Sequence, residues 1–188
     1  PTVGDFGVLG LLIGTIIIAT VSLIVAVPLA IGLALFINEY SPARIRRILT
    51  SSVDLLAAMP SIIFGMWGFF ALQAPLVGVA AWLNLHLSAI PFFRLSEADA
   101  PLLRSSFIVG TVVALMIVPI ITSVSRDVMA QCPRSQCEAA LALGGSRWGM
   151  IKEVLLPFGK AGITGAVLLG FGRALGETIA VALIIAFT

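Results

Sequence analysis

The sequence predicts an all-α integral membrane protein, and three observations support this fold class. Of the 188 residues, 60% are hydrophobic and only 11% are charged, whereas a soluble domain carries about 25% charged residues. Charges are absent from three long stretches, residues 6–38, 55–93 and 105–125, and a helix needs about 20 apolar residues to cross the hydrocarbon core. The apolar runs are continuous rather than alternating, which argues against membrane-spanning strands.

Four stretches are predicted to cross the membrane, and we name them spans A, B, C and D in chain order. Span A is longer than one crossing requires, so we expect either a kink at Pro28 or an end that protrudes from the bilayer. Pro60 predicts a break in span B. Between spans B and C, residues 74–102 form a mixed loop with Trp82 at headgroup depth. The spans cover about residues 8–37, 52–73, 104–125 and 161–187.

The basic residues outside the spans predict the orientation of the chain. Alternating spans place the A–B loop and the C–D segment on one face of the membrane, where they hold eight Lys and Arg residues. The opposite face holds Arg94 and Arg104. Because positively charged loops stay in the cytoplasm, we expect the A–B loop and residues 126–160 to be cytoplasmic. The eight residues are Arg44, Arg46, Arg47, Arg126, Arg134, Arg147, Lys152 and Lys160.

The C–D segment, residues 126–160, is predicted to form two short helices joined by a turn. Residues 138–143 are rich in Ala and Leu, which favour helix. Gly144 follows, and a glycine just past a helix end can take the left-handed conformation that closes the helix. Ser146 is the predicted N-cap of a second helix that ends at Pro157. The exposed apolar side chains of this unit either bind a partner protein or rest on the membrane surface.

The same segment contains a spaced motif, "EAALALGGSRWGMIKEVLLP" (138–157). It resembles the EAA loop of the permease subunits of ABC importers, with Val154 where that loop usually has Ile. The resemblance implies that the segment forms a coupling helix, which docks into a groove on an ATPase subunit. The coupling residues that match the motif are Glu138, Ala139, Ala140, Gly144, Leu156 and Pro157.

Nearly the whole chain resembles one branch of these permeases, the PstC-type permeases of phosphate ABC importers. The residues that carry the resemblance are "GLALFINEYSP" (32–42), "LLAAMPSIIFGMWGFF" (55–70), "SRDVMAQCP" (125–133) and "GRALGET" (172–178). The resemblance implies a MetI-like transmembrane domain of the type I importer class over residues 1–188. Such permeases have more than the four spans predicted here, so we expect a further span before residue 1 and another after residue 188.

The resemblance also implies a function and a set of partners in the bacterial cytoplasmic membrane. The chain would be one permease subunit for inorganic phosphate, paired with a PstA-type permease. Two PstB-type ATPase subunits would dock on the coupling loop, and an extracytoplasmic PstS-type phosphate-binding protein would dock on the outer loops. ATP and Mg²⁺ would bind to the ATPase subunits, so we expect no cofactor in this chain. The alternatives within this class are the PstA-type subunit itself and a permease for sulfate or molybdate.

Span D contains two charged residues, Arg173 and Glu177. Two such residues at the bilayer centre cost roughly 5 to 7 kcal/mol, while the twelve Leu, Ile, Val and Phe side chains of span D contribute roughly −4 to −7 kcal/mol. Span D therefore inserts only marginally on its own and needs neighbouring helices or water around its polar side. Small residues near that side, Gly162, Ala166 and Gly170, either permit close helix approach or leave room for a pathway.

Arg173 and Glu177 are four residues apart and share a helix face, which leaves two interpretations. Either they pair in the interior and lock helices together, or they line the substrate route, as intramembrane ionisable groups usually do. We favour the route, because a guanidinium binds two phosphate oxygens at once and a nearby Glu makes that binding transient. The resemblance points the same way. Asp54, at the predicted start of span B, is either a helix cap or a third pathway residue.

Other classes of function lack the residues that they need. The Walker A motif is absent, since the nearest Gly-Lys, at 159–160, has Val154 in place of the first glycine. A single His and scattered serines offer no nucleophile–base pair, so no catalytic site is predicted. Cys132 and Cys137, with His86 far away in the sequence, fall short of a zinc site, so no metal site is predicted. The net charge of only +2 gives no indication of a nucleic-acid partner, and none is predicted. A membrane enzyme or a helical scaffold is the alternative from another class.

Overall fold

The computed structural model describes residues 8–72, 75–79, 82, 86 and 106–177, and this part of the chain contains helices and no strand. Three π-helical turns, Phe36–Tyr40, Gly68–Leu72 and Ile151–Leu155, directly follow α1, α3 and α6. The helices are α1 (Val8–Leu35), α2 (Ala43–Ala58), α3 (Ser61–Trp67), α4 (Ser106–Ala130), α5 (Arg134–Ala142), α6 (Arg147–Met150) and α7 (Leu156–Gly176).

Three helical stretches are long and apolar enough to cross a membrane, namely Leu12–Tyr40, Ile108–Ala130 and Arg147–Gly176. A fourth results when α2 and the helical stretch Ser61–Leu72 are counted as one broken span. The predicted all-α membrane fold is therefore confirmed. Most of the predicted loop 74–102, the first residues of span C and the last residues of span D lie outside the described residues, and so do Arg94 and Arg104.

The helix ends differ from the predicted span ends at the polar boundaries. Helix α2 begins at Ala43 rather than at residue 52. The basic residues of the A–B loop therefore lie in the first turns of α2, where they are exposed, and Val53 is the buried residue of this helix. Helix α4 continues to Ala130, past the predicted end at residue 125. Arg126 and Asp127, which mark the end of the apolar run, lie inside α4 and form an ion pair with each other at 2.8 Å.

The prolines act according to their position in the helical pattern. Pro60 separates α2 from α3 and has an extended backbone, with ψ 138°, at the N-cap of α3, so the predicted break in span B is confirmed. Helix α1 continues through Pro28 as far as Leu35. A proline in a helix interior removes one backbone hydrogen bond. Helix α1 lacks this one bond at Pro28 and remains helical on both sides of it.

The chain divides into two compact units, and the first comprises residues 1–25, 59–116 and 171–188. Its described core is the first half of α4, where the side chains of Ile108, Val109, Val112 and Val113 are almost fully buried. Helix α1 approaches α4 closely at Gly110, since a Cβ on that glycine would lie 2.7 Å from Cγ1 of Val21.

The second unit comprises residues 26–58 and 117–170. Hydrogen bonds tie the end of α1 to α4: Thr122 Oγ1 donates to the Ala30 carbonyl at 3.3 Å, and Asn38 Nδ2 donates to the Arg126 carbonyl at 2.9 Å. The apolar core beside these bonds joins α1, α4 and the C–D segment. It consists of Ala34, Leu35, Met129, Cys132, Met150, Ile151, Leu155 and Ile163.

Candidate functional site

The predicted coupling loop forms two helices, α5 and α6, joined by a glycine turn. Gly144 has φ +86°, a left-handed conformation that suits glycine because it has no Cβ. The N–H of Gly145 donates to the Ala140 carbonyl at 3.2 Å, and the N–H of Gly144 donates to the Leu141 carbonyl at 3.0 Å. These two bonds are those of a Schellman motif, which closes α5. The predicted left-handed turn at Gly144 is therefore confirmed.

The second helix of the loop starts where the sequence predicts. Ser146 is the N-cap of α6, and its Oγ accepts a hydrogen bond from the Gly149 N–H at 3.1 Å. Such a cap satisfies one of the free N–H groups of the first helical turn. Helix α5, in contrast, begins at Arg134, with Pro133 as its N-cap, rather than at Glu138. A proline just before a helix fixes φ near the helical value.

The turn between α5 and α6 presents large apolar side chains to the outside. Leu143 is 89% exposed, Trp148 is 60% exposed and Leu141 is 40% exposed. A cluster of this kind on one short turn is typical of a protein interface, because isolated exposed leucines are common but clusters of them are not. The motif residues Glu138 and Ala139 on α5 are exposed as well, so this face of α5 is accessible.

Two of the motif residues pack against the core of the second unit. Ala140 packs against the apolar core of that unit, and so does Leu156. Ile151 and Leu155, between α6 and α7, are almost fully buried in the same core. The loop therefore has one face embedded in its own unit and one face exposed.

The predicted helix end at Pro157 is wrong. The helical backbone is continuous from Arg147 to Gly176, and Pro157 is the second residue of α7. A π-helical turn, Ile151–Leu155, lies directly before the proline, and the Leu156 N–H donates to the Ile151 carbonyl. The wider π turn shifts the hydrogen-bond register, which makes room for a residue that lacks an N–H and whose ring would otherwise clash with the preceding turn.

Asp54 lies in the interior of α2, so the predicted role as a helix cap is wrong. The reason is that α2 begins at Ala43, about three turns before Asp54. Its Oδ1 accepts a hydrogen bond from Ser123 Oγ at 2.7 Å and lies 3.4 Å from Nη2 of Arg126. Asp54 therefore joins α2 to α4. Its second predicted role, in a substrate pathway, stays a prediction.

Arg126 is a buried charged residue that sequence reasoning placed in an exposed loop. Its side chain is 10% exposed and lies between two carboxylates, Asp54 and Asp127. Its Nη1 is buried without a hydrogen-bond partner. The sequence signal was the pair Arg126-Asp127 directly after the apolar run of span C. The sequence did not indicate burial, which results from the packing of α2 on α4.

Arg173 and Glu177 lie in the last turn of α7 and directly after it, and both are half-buried. The Nε of Arg173 is buried and has no hydrogen-bond partner. Within the described residues, Arg173 takes part in none of the ion pairs. An arginine with a buried and unsatisfied donor has unused capacity for an acceptor, because a guanidinium offers five N–H groups.

The small residues of α7 serve close helix packing. A Cβ on Gly162 would lie 2.5 Å from Cγ2 of Val128, and a Cβ on Gly170 would lie 2.7 Å from Cδ1 of Ile121. Ala166, between them, is fully buried. Of the two interpretations of these residues, the structure supports close approach, here between α7 and α4, over room for a pathway.

Comparison with known proteins gives one family and several similar chains. Residues 26–188 match the family described as "Binding-protein-dependent transport system inner membrane component". The "Phosphate transport system permease protein PstC" of Mycobacterium leprae is 45% identical over 98% of this chain and 59% of its own length. The "Phosphate transport system permease protein PstC 2" of Mycobacterium tuberculosis is 44% identical over 96% of this chain and 56% of its own length.

A more distant relative has the same name. The "Phosphate transport system permease protein PstC" of Xylella fastidiosa strain 9a5c is 37% identical over 98% of this chain and 57% of its own length. The chain therefore spans less than two thirds of the length of each of these curated relatives.

Proposed function

The chain belongs to the family of binding-protein-dependent transport system inner membrane components, and on this premise we propose that it is a permease subunit of an ATP-driven importer of inorganic phosphate. Its family and its apolar helices make it a multi-pass inner-membrane protein. The expected resemblance to PstC-type permeases is confirmed by relatives with that name. Phosphate as the substrate rests on those names and on the chemistry of Arg173.

The observation that carries the proposal is the exposed apolar turn of the coupling loop. Leu143 on the turn, with Leu141 and Trp148 on the two helices beside it, is exposed, while Met150, Ile151 and Leu155 of the same segment are buried in the core of their own unit. This arrangement suits a small apolar knob that docks into a groove of a separate protein. We take the occupant of this face to be an ATPase subunit, which binds the ATP and Mg²⁺ that the chain itself has no motif to hold.

The substrate route in this proposal passes Arg173 and Glu177. A phosphate dianion needs donors where the bilayer offers none, and the guanidinium supplies two parallel N–H groups for two phosphate oxygens. The buried, unsatisfied Nε of Arg173 supports this role. A nearby carboxylate weakens the hold on the anion and so favours its release. A PstA-type permease would provide the other half of the route, and an extracytoplasmic binding protein would deliver the phosphate.

Copurification tests the docking of the ATPase. We expect the full-length complex to lose its ATPase subunits when Leu143→Glu places a charge on the exposed turn, because a buried, unpaired charge is strongly disfavoured in an interface. Gly144→Asp should have the same effect, since it strains the left-handed turn. Arg44→Gln, on the exposed face of α2, is the matched control and should copurify normally. Retention of the ATPase by both loop variants would contradict the proposed docking face.

A further inference from the structure

A pocket of about 390 Å³ lies beneath the coupling loop, within the second unit. We call it the basic pocket, because three arginines line it, each from a different helix: Arg46 of α2, Arg134 of α5 and Arg147 of α6. Its volume is at the lower end of the range for small-molecule sites, which is about 300 to 1,000 Å³. All three arginines belong to the face predicted to be cytoplasmic.

Two of the guanidinium groups are held in place by backbone carbonyls of the π-helical turn that follows α1 and of the residue directly after that turn. Nη2 of Arg46 donates to the Asn38 carbonyl at 2.6 Å and to the Ser41 carbonyl at 3.3 Å. Nη1 of Arg147 donates to the Glu39 carbonyl at 3.3 Å. These contacts use one nitrogen of each group, so further N–H donors of both arginines are available. The carbonyl contacts position the two cations without neutralising them.

Arg134 is the third cation, and it has no hydrogen-bond or ion-pair partner within the described residues. Two carboxylates, Glu39 and Glu138, also line the pocket, so its formal charge is +1 when the three arginines are counted against them. Met129 and Leu155 provide an apolar floor. All three arginines are exposed, so water and salt screen their attraction for an anion, which we expect to be strongest at low ionic strength.

We propose that the basic pocket is a cytoplasmic anion site, which binds inorganic phosphate or a phosphate monoester. The shared ligand chemistry is a phosphoryl group that receives N–H groups from Arg134 and from at least one of Arg46 and Arg147. Arginine suits this group because its planar fork matches two phosphate oxygens. The site lies in the second unit, and Arg173 does not line it.

An occupant of this pocket would restrain the coupling loop. Arg134 belongs to α5 of the loop, whereas Arg46 belongs to α2, outside it. A bound phosphoryl group that receives hydrogen bonds from Arg134 and Arg46 would link the loop to α2. It would therefore favour the loop position in which both arginines reach the phosphoryl group. This consequence rests on the proposed function: if the chain transports phosphate, occupancy would lower transport when the phosphate concentration in the cytoplasm is high, as feedback by the transported product.

The pocket contains its own reporter, because both cysteines of the chain line it. Cys137 is half-buried, while Cys132 is buried, and their sulfur atoms are 3.7 Å apart. Burial first, and then the hydrogen bond with Cys137, raise the pKa of the Cys132 thiol to about 11. Cys132 is therefore protonated at neutral pH and reacts slowly, so alkylation at pH 7.5 reports on Cys137.

The test measures the rate at which N-ethylmaleimide modifies Cys137 in the full-length complex in nanodiscs, read by mass spectrometry. Inorganic phosphate and glycerol phosphate are the probes. At about ten times the dissociation constant, about a tenth of the pockets are empty, so we expect labelling to slow by about tenfold. Arg134→Gln should raise the phosphate concentration needed by about tenfold, as one charge-assisted contact is lost. Glu39→Gln should lower it, because it removes a repelling carboxylate.

Arg44→Gln is the matched control, since Arg44 is exposed on α2 and does not line the pocket; it should leave the phosphate dependence unchanged. The proposal is overturned if neither probe slows labelling beyond the effect of chloride at equal ionic strength. It is also overturned if Arg134→Gln and Arg44→Gln respond alike. This binding test requires no transport, so it can fail or succeed independently of the proposed function.

Discussion

Arg126 and Lys152 show how differently two ion pairs contribute at the scale of single residues. Arg126 is 10% exposed and contacts Asp127 at 2.8 Å, whereas Lys152 is 69% exposed and contacts Glu153 at 3.8 Å. An exposed pair is screened by water and contributes about 0 to 1 kcal/mol. The carboxylates of Asp127 and Asp54 are 62% and 46% exposed, so the difference lies on the arginine side, where the buried guanidinium depends on these two groups for its hydrogen bonds. Burial therefore distinguishes the two pairs.

We expect Arg126→Ala to destabilise the protein by about 1 to 2 kcal/mol, because its hydrogen bonds to Asp127 and Asp54 are lost, although Asp54 keeps its hydrogen bond from Ser123 on α4. Lys152→Ala is the matched control and should change stability by less than about 0.5 kcal/mol. The measurement is the thermal unfolding midpoint of the full-length permease in nanodiscs. Equal midpoints for the two variants would contradict a structural role for the Arg126 network.

Local chemistry determined which residues could be predicted from the sequence. The roles of Ser146 and Gly144 follow from their immediate neighbours, because a cap and a left-handed turn involve only the adjacent helical turn. The burial of Arg126, in contrast, involves a contact with Asp54, a residue 72 positions away. One sequence without homologues contains no direct signal of such a pairing.

At the scale of helices, the second unit depends on close packing between α4 and α7. Gly162 and Gly170 bring α7 against Val128 and Ile121, with a fully buried Ala166 between them. Small residues at a membrane helix interface let the backbones approach and gain dispersion contacts. The spacing of these residues predicted a small-residue side on span D. It left open which helix would pack there, because the partner is set by the fold.

Gly162→Ala tests this packing. The added Cβ would lie 2.5 Å from Val128, so we expect overpacking to destabilise the protein by about 1 to 3 kcal/mol. Gly165→Ala is the matched control: its Cβ would meet nothing within 4 Å, and it should stabilise the helix by about 0.5 to 1 kcal/mol. Thermal midpoints of the full-length permease provide the comparison. Adding Val128→Ala to Gly162→Ala should raise the midpoint again, because it removes the methyl groups that the new Cβ meets. A midpoint of Gly162→Ala at or above that of Gly165→Ala would refute the close approach.

Helix continuity was the least predictable property of the elements. Pro157 was expected to end a helix, but it lies inside a continuous helical stretch from Arg147 to Gly176. The π-helical turn before it is the physical reason. Sequence rules for proline assume an α-helical register, so they fail where the register shifts. Helix α6, the π-helical turn and α7 therefore form one continuous helical stretch, and the glycine turn separates α5 from it.

At the scale of the whole molecule, the exposed turn of the coupling loop and the charges of α7 belong to one assembly. Residues 147–176 connect them without a break, and the energy estimate for span D requires neighbouring helices around Arg173. The family assignment agrees with both features, since such a component works with other subunits.

The central claim is that Arg173 contacts the phosphate that the importer moves. The most direct test is ATP-driven uptake of radiolabelled phosphate by the reconstituted full-length complex. We expect that unlabelled phosphate inhibits this uptake by competition and that sulfate does not. Arg173→Leu should lower the rate by about a hundredfold, because a bidentate contact to the anion is lost, while the ATPase still copurifies. Arg173→Lys, which keeps the charge without the planar fork, should be intermediate. Near-normal uptake by an assembled Arg173→Leu complex would contradict the claim.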